Sequence, residues 1–145
     1  MQVTLATVRD FAPRNSALAE LTRDYLKRTN LSFAADWVQP KSIAELAEMR
    51  SKPASSLLLL DSTGKQYSSV AFANLLGSLR DQGKRSLILA IGPADGWTAA
   101  DRSSADHLIS LGPMTLPHQL AALVLAEQIY RAATILAGHP YHLGH

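Results

Sequence analysis

The spacing of apolar residues along this chain changes period repeatedly, and each change marks an element. "QVTLATV" at 2–8 is a short apolar and β-branched run that predicts a first strand. Leu18, Leu21, Tyr25 and Leu26 then fall at helical spacing behind Asn15 or Ser16 as cap. "LSFAADWV" returns to period two, with Leu31, Phe33, Ala35 and Trp37 on one face of a half-buried strand. Ser42 followed by Glu45 has the form of a capping box and starts a second helix.

The most apolar runs, "SLLLLD" at 56–61 and "RSLILAI" at 85–91, are continuous rather than alternating, as central strands covered on both faces should be. Between them Ser68 or Ser69 opens a helix through Phe72, Leu75, Leu76 and Leu79 that ends near Gly83. "HLISLG" at 107–112 reads as a further short strand. After Pro117 a long helix runs to Leu136, with Gly138 as its C-terminal glycine and Pro140 just beyond. Strands alternating with helices predict an α/β fold: a mainly parallel sheet with helices on both faces. The length of 145 residues suits one domain, 1–145, and no repeat or linker divides it.

The last helix is unusual. Leu120, Leu123, Val124, Leu125, Ile129, Ala132, Ala133, Ile135 and Leu136 wrap most of its circumference and leave a polar stripe at Glu127, Arg131 and Thr134. Such a helix needs cover on both sides, from its own domain and from another subunit, so a homodimer is expected. Glu127 and Arg131, four apart, would as a simple helix pair contribute ~0.3 kcal/mol.

Composition narrows the class. The longest strictly apolar stretch, "LAALVLA" at 120–126, is too short to cross a bilayer, and nothing at the start resembles a secretory signal. With no cysteine there is no disulfide framework, thiolate metal site or cysteine nucleophile, a pattern that fits a cytoplasmic protein. Fourteen basic residues face 12 acidic ones without any block of like charge. Arg23, Lys27 and Arg28 in "YLKRTN" come nearest to a basic face and read as the solvated side of a helix, so nucleic-acid binding does not follow from charge.

Candidate chemistry lies where a parallel sheet places it, after the carboxyl ends of the strands. "LDSTGK" at 60–65, "IGPADGW" at 91–97 and "SLGPMTLPHQ" at 110–119 combine glycine or proline with apolar residues. That suits a flat, uncharged group such as adenine better than a triphosphate, and neither a P-loop nor a GxGxxG is present. The closing "HPYHLGH" at 139–145 allows three readings: a metal site from His139, His142 and His145, a solvated end, or a catalytic segment laid across a site built elsewhere. Pro140 and the lack of a neighbouring carboxylate or thiolate argue against the metal.

"LDSTGKQYSS", "IGPADGW", "MTLPHQLAALVLAEQIYRA" and "HPYH", with "YLKR" at 25–28, occur in the order and approximate spacing of the RlmH family of SPOUT methyltransferases. The chain resembles that family over nearly its whole length. The resemblance implies a C-terminal trefoil knot, S-adenosyl-L-methionine as cofactor, and a homodimer that methylates N3 of a pseudouridine in 23S, large-subunit, ribosomal RNA within the ribosome. It implies no metal and no membrane. Leu60, Gly92, Leu111, Met114 and Leu116 match the adenosine cradle, and His118, Arg131, Tyr141 and His142 match the polar residues around the target base. His142, or else His118, would assist deprotonation, Arg131 hold charge, Tyr141 stack or hydrogen-bond, and the tail lie over the neighbouring subunit's cofactor. At four positions the chain departs from the family pattern: Arg9 replaces a glycine that usually ends the first strand, Val70 a glutamate, Pro93 a second glycine and Ala122 an arginine. A non-catalytic dimeric relative that only binds cofactor or RNA is the alternative.

Overall fold

A computed structural model describes residues 1–9 and 15–144. The elements follow in the order β1 (Gln2–Thr7), α1 (Ala17–Arg28), β2 (Ala34–Val38), α2 (Ile43–Arg50), β3 (Ser55–Gln66), α3 (Ser69–Asp81), β4 (Ser86–Ile91), α4 (Ala99–Ser104), β5 (His107–Ser110) and α5 (His118–Leu136). All strand pairs are parallel, in the spatial order β2-β1-β4-β3-β5. The expected α/β class, with helices on both faces of a parallel sheet, is the one observed.

Alternation of strand side chains creates two cores. Val3, Leu5, Leu58, Leu87 and Leu89 point to the face covered by α1, α3 and α5. Ala6, Leu57, Leu59, Ile88 and Ala90 point to the other, where Leu46 of α2 and Trp97 meet them. Burial on both sides explains why "LLLL" and "LILAI" run on without polar interruption.

Caps form largely where serines stand before apolar periods. Ser16, not Asn15, accepts the Ala19 N–H at 3.2 Å, and Ser68 accepts that of Ala71 at 3.1 Å. The box expected at Ser42 is half made: Ser42 accepts the Glu45 N–H, but the Glu45 carboxylate takes the Lys41 N–H at 2.8 Å. The complete reciprocal box lies at Thr98 and Asp101, ahead of a helix the sequence pattern did not reveal. The α1 stripe is also rotated from expectation, since α1 buries Ala19, Thr22 and Leu26 while Leu21 is 49% exposed. Thr22 can be buried because its hydroxyl donates to the Leu18 carbonyl at 2.7 Å.

Two features position the site. Ile109 of β5 is the register partner of both Leu60 and Lys65, so β3 makes an excursion around β5 and grips it twice. Gly64 sits in that excursion, and a Cβ there would lie 2.6–2.7 Å from the backbone of Leu108 and Ile109. At the far end of α5, Gly138 (φ 71°) closes a Schellman motif. Its N–H reaches the Ile135 carbonyl at 3.2 Å, and the His139 N–H reaches that of Thr134 at 2.9 Å. This turns the tail away from the direction of α5.

Within α5, Ile129 faces the protomer's own core, and one sequence-based expectation needs correction: Thr134 does not belong to the polar stripe. Thr134 is fully buried with its hydroxyl satisfied by the Arg131 carbonyl at 2.6 Å. Leu120, Leu123 and Val124 remain half-buried alongside Glu127, Gln128 and Arg131. Among the described residues no helix is long and apolar enough to cross a membrane.

Candidate functional site

The carboxyl ends of β3, β4 and β5 open into a cleft of about 370 Å³, within the range of small-molecule sites. Leu60, Gly92, Leu111, Met114 and Leu116 all line it, joined by His118 at the first turn of α5. Leu111 is 37% and Met114 83% exposed, so apolar surface stands open to solvent at the mouth. Among the described residues, the main-chain N–H groups of Met114, Thr115 and Leu116 have no protein acceptor. Apolar walls with unused amide donors fit a purine edge.

Besides lining the cleft, Gly92 has a packing role. A Cβ there would lie 2.8 Å from the Trp97 indole, so the missing side chain seats Trp97. That indole donates Nε1–H to the Leu60 carbonyl at 2.8 Å and ties the β4 loop to the middle of β3, where its pairing with β4 ends. Next to Leu60, Asp61 is almost fully buried and accepts from the Thr63 N–H (2.8 Å), the Thr63 hydroxyl and Arg102 Nε (2.9 Å). Burial raises the Asp61 pKa, but the hydrogen bonds from Thr63 and Arg102 outweigh it and hold the carboxyl below its ordinary value.

A second cluster occupies the opposite end of α5. Arg131 donates from Nε and Nη2 to Glu127 Oε1 at 3.0 and 2.7 Å, and the Tyr141 hydroxyl donates to the same oxygen at 3.1 Å. Gln128 Nε2 supplies Oε2 at 2.8 Å. Tyr141 packs edge-on against Tyr130 at 4.8 Å, and Arg28 covers the Tyr130 ring at 4.6 Å. Arg28 is therefore more than part of a solvated helix face. Burial, then hydrogen bonds with Tyr25 and Glu127, push the Tyr141 phenol well above its ordinary pKa, so it stays protonated and donates. Glu127 raises the Arg131 pKa further, keeping that cation charged.

Arg131 Nη1 lies 3.0 Å from His142 Nδ1. Because guanidinium can only donate, Nδ1 is the acceptor and the ring carries its proton on Nε2. In this arrangement His142 presents a donor, and acting as a base requires release from Arg131. His139 Nδ1 accepts the Tyr141 N–H at 3.2 Å. Among the described residues no three potential ligands stand together as a metal site, and His145 lies outside those residues.

His118 and Arg131 are thirteen positions apart on one helix, about 20 Å along its axis. One protomer therefore gathers the cradle residues with His118, and separately gathers Arg131, Tyr141 and His142. Sequence reasoning missed Trp97, Asp61 with Arg102, and the Tyr25–Arg28–Tyr130 support. Of these, Tyr25 and Arg28 in "YLKR", Asp61 in "LDSTGK", Trp97 in "IGPADGW" and Tyr130 in "YRA" stood inside motifs of the resemblance with no site role assigned, and Arg102 carried no signal. Among the departures, Pro93 lines the cleft, Ala122 is buried, Val70 is exposed and Arg9 has φ 54°.

Solved methyltransferases share this architecture. The SpoU methyltransferase AviRb from Streptomyces viridochromogenes, solved in complex with the cofactor AdoMet, superposes with TM-score 0.55 at 16% identity over 94% of this chain and 58% of that one. A "probable methyltransferase" from Bordetella pertussis Tohama I gives TM-score 0.61 at 11% identity over 90% and 95%. At these identities the likeness establishes the SPOUT fold, the α/β knot class. In sequence, residues 1–142 match the family described as "Predicted SPOUT methyltransferase". Ribosomal RNA large subunit methyltransferase H of Koribacter versatilis (strain Ellin345) is 47% identical over 135 residues, 91% of this chain and 92% of the relative. The chain belongs to the SPOUT methyltransferases and, within them, to the RlmH family whose motifs it carries.

Proposed function

We propose that this protein is an S-adenosyl-L-methionine-dependent methyltransferase that modifies N3 of a pseudouridine in large-subunit ribosomal RNA, acting as a cytoplasmic homodimer of single-domain subunits. The observation that carries this reading is the cleft. Five residues matched from the family's cofactor cradle converge there from three separate loops, in the chain of a family whose relative acts on large-subunit rRNA.

The 20 Å between His118 and Arg131 supports the dimer. Two α5 helices packed antiparallel about a two-fold axis, through the half-buried Leu120, Leu123 and Val124, would set the Arg131 end of each beside the His118 end of its partner. Each composite site would then hold a cleft from one subunit and Arg131, Tyr141 and His142 from the other.

When bound, the cofactor supplies a methyl group made electrophilic by its sulfonium. The cradle residues orient it, so that alignment contributes much of the rate. Arg131, kept charged by Glu127, holds the imide anion that develops as N3 loses its proton. Tyr141, protonated and fixed between Tyr130 and Glu127, offers an edge for the base. When substrate takes the Nη1 donor of Arg131, His142 Nδ1 is freed to accept the N3 proton, with His118 as the other imidazole in reach of the composite site.

The test is methyl transfer to ribosomes from cells lacking the modification, with the nucleoside identified by mass spectrometry. Mixing a subunit lacking residues 139–145 with a Gly92→Val subunit should restore activity that neither has alone. Unmethylated ribosomes would refute the enzyme, and no rescue in mixed dimers would refute the shared site.

A further inference from the structure

We propose that Arg102 forms a carboxylate-binding subsite at the mouth of the cleft, and that it takes the α-carboxylate of the amino-acid tail of the ligand. This rests on the reading that the cleft binds S-adenosyl-L-methionine. The lining of the cleft is apolar around Leu60, Leu111, Met114 and Leu116, which suits an adenosine, but a methionine tail also carries an ammonium and a carboxylate. Arg102 is the lysine-or-arginine cation among the lining residues.

Its geometry favours an incoming anion. Only Nε is engaged, by Asp61 Oδ2 at 2.9 Å, and among the described residues Nη1 and Nη2 have no acceptor. Those two nitrogens form the end of the guanidinium fork that matches a carboxylate in two parallel hydrogen bonds. Asp61 holds the fork in place. Its side chain is 5% exposed and its other oxygen is fixed by both donors of Thr63, whereas the Arg102 side chain is 39% exposed. The pair is asymmetric: it offsets the buried Asp61 charge through Nε alone and leaves the outer end of the guanidinium open at the cleft. An anchored arginine with a free bidentate end is better explained as a ligand contact.

Calorimetry with two ligands isolates the contact. S-adenosylhomocysteine has the amino-acid tail, and 5′-methylthioadenosine keeps the adenosine and thioether but lacks it. Wild type should prefer the first ligand. Arg102→Ala should weaken S-adenosylhomocysteine about tenfold or more and leave 5′-methylthioadenosine unchanged, as expected for losing a charge-assisted pair. Arg102→Lys should recover part of the preference, because an ammonium keeps the charge without the fork. If Arg102→Ala keeps the wild-type preference, the subsite is refuted. If both ligands weaken equally, Arg102 acts through the shape of the cleft and the subsite is again refuted. A wild-type protein that binds neither ligand overturns the cofactor reading itself, a different result from either.

Discussion

At the His118 end of α5 the walls are loops, with open apolar side chains and uncommitted main-chain amides. At the Arg131 end nearly every polar atom already has a partner, and Glu127 alone receives Arg131, Tyr141 and Gln128. The first end is shaped to receive a ligand with little rearrangement. The second is already bonded internally: Arg131 commits three of its five N–H donors to Glu127 and His142, and His142 Nδ1 can accept a proton only after Arg131 Nη1 lets go. In the proposed dimer, a cradle that binds passively and a cluster that switches partners would be complementary halves of one reaction site.

The largest expected effect separates these halves. Arg131→Ala should lower methyl transfer to ribosomes by about 10²–10³-fold, the scale of losing one fixed charge at a developing anion. S-adenosylhomocysteine affinity should change less than about threefold, since Arg131 is not among the residues that line the cleft and would reach the composite site from the partner to meet the base. An equal loss of ligand binding would mean that the two ends are not independent. Removing residues 139–145 should abolish transfer too, but it also strips Tyr141 from Tyr130 and should lower Tm slightly.

Next comes the cleft alone. Gly64→Ala drives a methyl group into the backbone of β5, and backbone cannot step aside as a side-chain tip can. We expect a loss of about 2–3 kcal/mol, or roughly 5–10 °C in Tm. Ligand binding should fail as β5 and the loop after it shift. The Tyr130–Tyr141 packing, held by α1 and α5, should persist in near-ultraviolet circular dichroism. Normal ligand affinity in this variant would show that the double grip on β5 does not build the cleft.

Much of this contrast was legible in the sequence, but unequally. Elements followed from periodicity because burial on two faces forces continuous apolar strands, and Ser16, Ser42 and Ser68 announced helix starts through local chemistry. The three cleft loops were legible because they follow strands, whereas the five residues expected to form the cradle came from the family resemblance. The support behind them was not legible: Asp61 finds Arg102 forty-one residues later, and Gly92 is small to seat Trp97. Such pairings depend on tertiary approach, which carries no local period. Thr134 was misread for a local reason, since a threonine whose hydroxyl is satisfied by the helix carbonyl three residues back buries as readily as a valine.

A moderate effect tests the anchor at the cleft by pH. The folded-state pKa of Asp61 is depressed, so its contribution is fully present above the unfolded value of about 3.8 and is lost as pH falls through the lower folded value. The Tm of wild type should exceed that of Asp61→Asn at pH 6, and the gap should close below about pH 3.8. A gap independent of pH would show that the carboxylate charge plays no part.

The smallest effect lies away from both ends. Arg9 has φ 54°, a left-handed conformation that costs a residue with a Cβ about 1–2 kcal/mol, at a position where glycine is usual in the family. Its N–H donates to the Pro40 carbonyl at 2.9 Å, which holds the turn after β1 in that conformation. Arg9→Gly removes the clash but gives the unfolded chain more freedom, worth about 0.4–1 kcal/mol in the opposite direction. The net should be a gain of about 0.5 kcal/mol, a rise of roughly 1–2 °C in Tm. Ligand affinity and methyl transfer should not change. Arg9→Ala keeps the Cβ and should gain nothing. If alanine stabilises as much as glycine, the cost comes from the arginine side chain and not from its backbone conformation.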